Sequence, residues 1–325
     1  MTEQQPLSQD DTAAALKLDA AAEIERIGQT IKQQLKAFKR KGLVVALSGG
    51  IDSSAVGALA VAALGKERVF GLFMPEQDSS KETHQLGRLI IEHLGIESVD
   101  EDITPILDSV GCYRRRDDAI REVLPNYQSD WKSKIVLPAL TGGYRFYSVV
   151  AESPDGQTHK ARLTTSAYLG ILAATNFKQR VRKMLEYYHA DRLNYAVAGT
   201  PNRLEYDQGF FVKLGDGAAD LKPIAHLYKT QVYQLAEELW VPKEISQRPP
   251  TTDTYSLAQS QEEFYFSVPY QQMDLCLYGK NHGWTPEQLA PALSLSPEQV
   301  GRVYDDIDAK RKVSVYLHAT PTLIK

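Results

Sequence analysis

Leu47-Ser48-Gly49-Gly50-Ile51-Asp52-Ser53-Ser54 is the stretch on which the reading of this chain turns. The apolar run Leu43-Val44-Val45-Ala46 precedes it, and the helix-like run Ala55 to Leu64 follows. A buried strand therefore feeds a glycine-rich turn that opens a helix. Glycines let the backbone bend and present its N–H groups. The hydroxyls of Ser48, Ser53 and Ser54 add donors, and a helix N-terminus adds partial positive charge. Such a turn is a cradle for phosphate or pyrophosphate. Asp52 would repel phosphates unless it holds Mg²⁺ against them. The order of residues is neither G-x-x-x-x-G-K-[ST] nor G-x-G-x-x-G, which excludes the two commonest nucleotide loops.

Outward from this turn the pattern alternates. A second strand is predicted from Arg68 to Met74, stopped by Pro75. Ser79 then starts a helix, with Glu82 as its capping-box partner and Leu86, Leu89, Ile90 and Leu94 as its buried face. A third strand is expected at 98–103 and a fourth from Tyr195 to Ala198. Ahead of the first strand, Ile24, Ile27, Ile31, Leu35 and Phe38 predict one long helix over 11–41, ended by Lys41-Gly42. Alternating strands and helices imply an α/β fold with a doubly wound parallel sheet, which binds ligands beyond the carboxyl ends of its strands.

Other segments fill in the organisation. Tyr144 to Val150, Pro154-Asp155-Gly156 and Lys160 to Leu163 predict a hairpin, foreign to a parallel core and read as an insertion at about 105–165. Asn176 to His189 is helical, with Val181, Met184, Leu185 and Tyr188 as the apolar stripe and Arg180 and Arg182 off it. The helix after Leu227 buries Val232, Leu235, Ala236 and Leu239. Thr285-Pro286-Glu287-Gln288 and Ser296-Pro297-Glu298-Gln299 predict two short capped helices. The expected division is a disordered tail at 1–10, a core at 11–275 and a helical extension at 276–325.

Composition narrows the class. The chain has 325 residues and a formal net charge of −4, which argues against binding nucleic acid through bulk charge. Arg114-Arg115-Arg116 is followed by Asp117-Asp118 and reads as a solvated loop. The two cysteines, Cys112 and Cys276, lack zinc spacing and suit a reducing compartment. No signal peptide or long apolar run is visible, so a cytoplasmic protein without membrane contact is expected. His84, His93, His159, His189 and His226 are scattered without metal-ligand spacing.

A second constellation follows the fourth strand, Gly199-Thr200-Pro201-Asn202-Arg203-Leu204-Glu205, and topology turns it toward the first loop. Glu205 reads either as a second Mg²⁺ ligand opposite Asp52 or as a solvated carboxylate. Gly215-Asp216-Gly217-Ala218-Ala219-Asp220 is a tight turn carrying carboxylates. Lys229 opens a helix against its dipole, which suggests an anionic partner. It reads as a phosphate contact or as a surface lysine.

Ser-Gly-Gly-x-Asp-Ser resembles the pyrophosphate loop of the ATP pyrophosphatases, enzymes of adenine nucleotide alpha hydrolase-like fold that cleave ATP between its α and β phosphates. Further segments sharpen the likeness: Met74-Pro75 with Ser79-Ser80; Asn176 with Arg180 and Arg182; Gly199-Thr200-x-Asn202-x-x-Glu205; Lys213-x-Gly215-Asp216-Gly217-x-x-Asp220; Leu227-Tyr228-Lys229-Thr230-Gln231-Val232; and Pro250-Thr251-Thr252-Asp253. In this order and spacing they resemble the NAD synthetases over most of residues 40–275.

The resemblance implies amidation of deamido-NAD by ammonia, through an acyl adenylate, with ATP as co-substrate and Mg²⁺ as cofactor. It implies that Ser48, Gly49, Gly50, Asp52, Ser53 and Ser54 bind pyrophosphate, with Met74, Thr200, Lys229 and Thr251 on ATP. Asn176, Arg180, Lys213, Asp220, Thr252 and Asp253 would bind deamido-NAD, and Asp52 and Glu205 would hold the metal. Asp52, Lys229 and Asp220 are the implied catalytic residues, and Thr251 to Asp253 the implied mobile loop. A homodimer with the dinucleotide site near the subunit boundary is implied as well, with the 11–41 helix available there. Ammonia would be free or come from a separate glutaminase, since no glutaminase segment is visible. The alternative is a different carboxylic acid on the same scaffold, to which the 105–165 and 251–265 segments point.

Overall fold

The structure is a computed structural model and describes residues 6–137, 146–249, 251–252, 254–266 and 268–324. The N-terminal helices are Gln9–Ala15 (α1) and Ala20–Phe38 (α2). Leu43–Ala46 (β1), Ile51–Leu64 (α3), Val69–Phe73 (β2), Lys81–Leu94 (α4) and Glu97–Asp100 (β3) alternate after them. Thr104–Ser109 (α5) and Cys112–Arg121 (α6) lead to Lys132–Val136 (β4), Ser148–Glu152 (β5) and Thr158–Arg162 (β6). Thr165–Leu193 (α7) returns the chain to Ala196–Ala198 (β7). Arg203–Gln208 (α8), Lys229–Glu238 (α9), Lys243–Ser246 (α10), Thr251–Thr252 (β8) and Gln259–Ser260 (β9) follow. Tyr270–Asn281 (α11), Pro286–Leu293 (α12) and Pro297–His318 (α13) close the described chain.

Among the described residues, four parallel strands form the central sheet in the order β3-β2-β1-β7. The runs LVVA in β1 and VFGLF in β2 are apolar throughout, as strands covered on both faces must be. Helices α2, α3, α4 and α9 cover one face through Ile31, Leu35, Leu59, Ile90 and Leu235. Helices α5, α6 and α7 cover the other through Leu107, Tyr113, Val181 and Ala190. β1 lies between β2 and β7, so the strand order reverses between β1 and β7. The loops after these two strands flank the crevice where an open parallel sheet binds its ligands.

Several expectations change. The helix expected over 11–41 is two helices. Asp19 caps Ala22 N–H at 3.1 Å, and Gln234 of α9 takes both Leu18 N–H and Leu16 O, partners a continuous helix would have used itself. Helix also begins at Gln9, inside the tail expected to be disordered, and residues 1–5 of that tail lie outside the described residues. α4 is capped by Ser80 on Thr83 N–H rather than by Ser79 with Glu82. The third strand is confined to Glu97–Asp100.

The segment expected as a solvated arginine loop is helix α6. Arg116 there is buried, with Asp78 and Asp117 as partners. α7 extends well beyond 176–189, and Met184 and Tyr188 of its expected apolar stripe face solvent. The hairpin is present as β5-β6 with Gly156 at φ +83, and β4, unforeseen, extends it to an antiparallel sheet. Tyr144 and Arg145 lie outside the described residues. Both tail helices carry their capping boxes, but α13 is 22 residues long rather than short. The boundary expected at 275/276 falls inside α11.

A buried ionic hub ties the strand-end loop after β2 to α6 and α7. Lys178, about 1% exposed, donates to Glu76 at 2.9 Å, Asp78 at 2.7 Å and Thr254 O at 2.9 Å. Arg116 donates to Asp78 at 2.6 Å, and Tyr113 OH to Glu76 at 2.9 Å. Removing the ammonium leaves the buried Glu76 without a cation and Asp78 with Arg116 alone, in low dielectric. Lys178→Met is therefore expected to cost about 3–5 kcal/mol in denaturant unfolding; a loss under about 1 kcal/mol would show that the hub is not needed.

Candidate active site

A cleft of about 690 Å³ opens at the carboxyl ends of β1, β2 and β7, within the usual range for small-molecule sites. The first loop forms one wall. Gly49 has φ +76, and a Cβ there would lie 2.6 Å from Leu86 Cβ and 2.7 Å from Gly87 N. Only glycine lets β1 turn so close to α4. Ser53 Oγ accepts from Ser48 N–H at 3.2 Å and donates to Gly50 O at 3.0 Å, while Ser48 Oγ accepts from Gly50 N–H at 3.3 Å. The loop is held open by its own hydroxyls. Gly50 at the N-cap offers no side chain, so the leading N–H groups of α3 are left for a ligand. Ser54 lies beneath, fully buried, and its Oγ has no partner among the described residues.

Three charges meet at the crevice. Lys229, the first residue of α9, is about 1% exposed and its Nζ pairs with Asp52 Oδ2. Asn202 Nδ2 donates to Asp52 Oδ1 at 3.0 Å, and Asn202 N–H donates to Glu205 Oε2 at 3.0 Å. Asn202 thus bridges the two carboxylates. Glu205 is half-exposed to the cleft, yet the protein around it and then Asp52 push its carboxyl up to about 8. The buried Lys229 is held above the usual ammonium range by Asp52 and Glu205, against the loss of water that lowers it. Two carboxylates this crowded form a receptive pair for a divalent cation. Among the described residues no group of three or more His, Cys, Asp or Glu side chains could hold a metal. An ion here would complete its shell with phosphate oxygens and water.

The other expected residues divide. Ser48, Gly50, Asp52, Ser53, Met74, Asn176, Arg180, Thr200, Glu205, Lys213 and Thr251 line the cleft. Gly49, Ser54, Asp220 and Lys229 are not among its lining residues. Lys229, buried behind Asp52, is no surface lysine. Lys213 Nζ donates to Tyr316 O at 2.7 Å and Ala319 O at 3.1 Å, capping the end of α13. Asp220 accepts from Val197 N–H at 2.7 Å and Tyr187 OH at 3.3 Å, beside the bridge that joins Leu221 to Ala198. It pins the edge of the sheet. Thr252 lies in β8, and Asp253 and Pro250 fall outside the described residues.

Sequence reasoning missed other lining groups. Arg248 faces the cleft mouth and pairs with Glu82 at 2.9 Å; a cation just ahead of two prolines was the available signal. Tyr147 and Tyr168 stack at 4.4 Å and, with Tyr255 and Phe264, make an aromatic wall at one side. Val313, Tyr316 and Leu317 bring α13 into the same cleft.

The family model described as NAD synthase matches residues 23–129 and 154–313. It skips 130–153, where β4 and β5 lie. The NH3-dependent NAD+ synthetase of Rhizobium meliloti (strain 1021) is 59% identical over 316 residues, covering 97% of this chain and 95% of its own. Among solved structures, the NMN synthetase of Francisella tularensis superposes with a TM-score of 0.67 at 22% identity, covering 95% of this chain and 99% of its own. The NH3-dependent NAD synthetase of Campylobacter jejuni gives 0.62 at 22% identity, covering 95% of this chain and 100% of its own. The two structures share the doubly wound α/β fold.

The raised Glu205 carboxyl has a measurable consequence. Between the ordinary value of 4.5 and about 8 the folded chain keeps a proton that the unfolded chain releases, so this group's contribution to stability falls as pH rises across that window. Glu205→Gln keeps an acceptor for Asn202 and removes the charge. Without ligands it is expected to be about 1–3 kcal/mol more stable than the parent at pH 8, and about equal at pH 4.5, by thermal unfolding. A pH-independent difference would refute the shift.

Proposed function

The chain belongs to the NAD synthase family, and from that premise we propose how its cleft carries out the ammonia-dependent amidation of deamido-NAD with ATP. The nicotinate carboxylate is already ionised and needs no base. Its oxygen attacks the α-phosphorus of ATP, the bond to the β-phosphate breaks, and pyrophosphate leaves. Ammonia then attacks the acyl carbon, that carbon's bond to the AMP phosphate oxygen breaks, and AMP and a proton depart, giving NAD. Positioning and neutralisation of charge supply most of the acceleration in such a reaction.

The residues divide by what they can do. The N–H groups at the start of α3, with Gly49, Gly50 and the hydroxyls of Ser48 and Ser53, receive the departing pyrophosphate, while Ser54 is buried beneath them. Asp52 and Glu205 would hold Mg²⁺, which when bound shields the polyphosphate and polarises its P–O bonds. Lys229 turns from Asp52 to the phosphates. Met74, Thr200 and Thr251 contact ATP, while Asn176 and Arg180 contact deamido-NAD. Lys213 and Asp220 act at one remove, through the end of α13 and the sheet edge. The catalytic unit extends beyond residue 275, because α13 lines the cleft.

A homodimer is part of this proposal. Leu169, Met184 and Tyr188 lie exposed along α7, which supports contact with a second copy there. Ammonia is taken free or from a separate glutaminase. Among the described residues no helix is long and apolar enough to cross a membrane, and Cys112 and Cys276 are free and buried. These features support a cytoplasmic setting.

The observation that carries this reading is the convergence of Asp52, Lys229 and Glu205 on one crevice from the first loop, α9 and α8. The test is AMP and pyrophosphate release with Mg-ATP, ammonium and deamido-NAD, against a panel of other carboxylic acids. NAD is the expected product, one per AMP; AMP formed only with another acid would replace the substrate. Asp52→Asn is expected to lower kcat at least about 10³-fold while retaining the fold by circular dichroism. Chelation should abolish turnover, and Mg²⁺ should restore it.

A further inference from the structure

Helix α9 presents Lys229 at its first position, where two obstacles meet. The leading N–H groups of a helix have no partner inside it, and the positive end of its dipole repels an ammonium. The preceding residue, Tyr228, makes no side-chain cap hydrogen bond. The remedy comes from α11. Asp274 is fully buried there, and its Oδ1 accepts from Lys229 N–H at 3.1 Å. Its Oδ2 accepts from Thr230 N–H and from the Thr230 hydroxyl, both at 2.6 Å. A carboxylate 45 residues downstream thus stands where a local Ser, Thr, Asn or Asp would normally cap.

A buried carboxylate is costly unless it is paired and fully hydrogen-bonded. Burial pushes the Asp274 carboxyl up to about 6, with the Thr230 and Lys229 hydrogen bonds and the Lys229 ammonium pulling it back. Asparagine would bring one acceptor oxygen to three donors. The carboxylate serves all three and brings a negative charge to the foot of the helix that bears Lys229. Asp274 is not among the residues lining the cleft, so any effect on the reaction must pass through α9.

We propose that Asp274 is a positioning residue for the amidation reaction: by capping α9 from a distant helix it fixes the backbone from which Lys229 reaches Asp52 and the polyphosphate. The proposal rests on the phosphate-contact reading of Lys229. A misplacement of about 1 Å near reacting groups can cost on the order of 100-fold in rate, so the effect is within kinetic reach.

Asp274→Asn, Lys229→Ala and the double variant, each in the full chain, test it. Initial rates of AMP formation are measured over an ATP series and, separately, over an ammonium series. Asp274→Asn is expected to lower kcat/KM for ATP about ten- to hundred-fold and to leave the KM for ammonium unchanged. In the Lys229→Ala background the same substitution is expected to cost less than about two-fold, because its route of action is gone. An equal loss in both backgrounds, or parental kcat/KM in Asp274→Asn, overturns the positioning role. Parental turnover in Lys229→Ala alone overturns the phosphate reading instead, so the two failures are told apart by different variants. Where Asp274→Asn does not fold, Thr230→Val, which removes only the hydroxyl contact, is read in the same two backgrounds by the same criteria.

Discussion

A buried ammonium held against a carboxylate, Lys229 on Asp52, is the interaction around which the crevice is organised. Neither group is stable alone in that setting, since a buried charge left unpaired costs several kcal/mol. The pair joins the first turn of α3 to the first turn of α9, two helices on the same face of the sheet. Asn202 adds α8 by holding both Asp52 and Glu205. Two carboxylates and an ammonium are thus held together at one place by hydrogen bonds from three elements.

Much of the site was legible because its chemistry is local. The Ser48 to Ser54 turn, the position of Gly49 and the caps at Thr285 and Ser296 are each decided within a few residues. Parallel strands with unbroken apolar runs and a helix after each were equally plain. The rest depends on partners far away in sequence. The break at Leu16 to Asp19 arises because Gln234 supplies hydrogen bonds that the helix would otherwise make for itself, and no periodicity records that. Arg116 sits in a run of like and opposite charges that looks solvated; its buried partner Asp78 lies 38 residues upstream. Met184 and Tyr188 continue an apolar stripe whose inner half alone meets the sheet.

The hub at Lys178 extends this logic from charge to shape. It links the loop after β2 to α6, to α7 and, through Thr254 O, to the segment after β8. The backbone that carries Met74 is braced separately, by Arg182 donating to Met74 O at 3.2 Å. Two kinds of wall result. One side is built from turns and helix ends, while the other is built from Tyr147, Tyr168, Tyr255 and Phe264, of which Tyr147 lies in the 130–153 stretch that the family match skips.

The distant cap at Asp274 also bears on the order in which the protein comes into being. Lys229 must find Asp52 across 177 residues and Asp274 across 45, and α13 closes the cleft from nearer still to the end of the chain. Contacts of such long range close late in folding, and a chain emerging from the ribosome makes its N-terminal elements first. The sheet and its first loop can form while the lysine that completes them has no anchor. The Ser48 to Ser54 turn is therefore made well before Asp52 can meet Lys229, and the backbone that carries Lys229 is made before Asp274 can cap it.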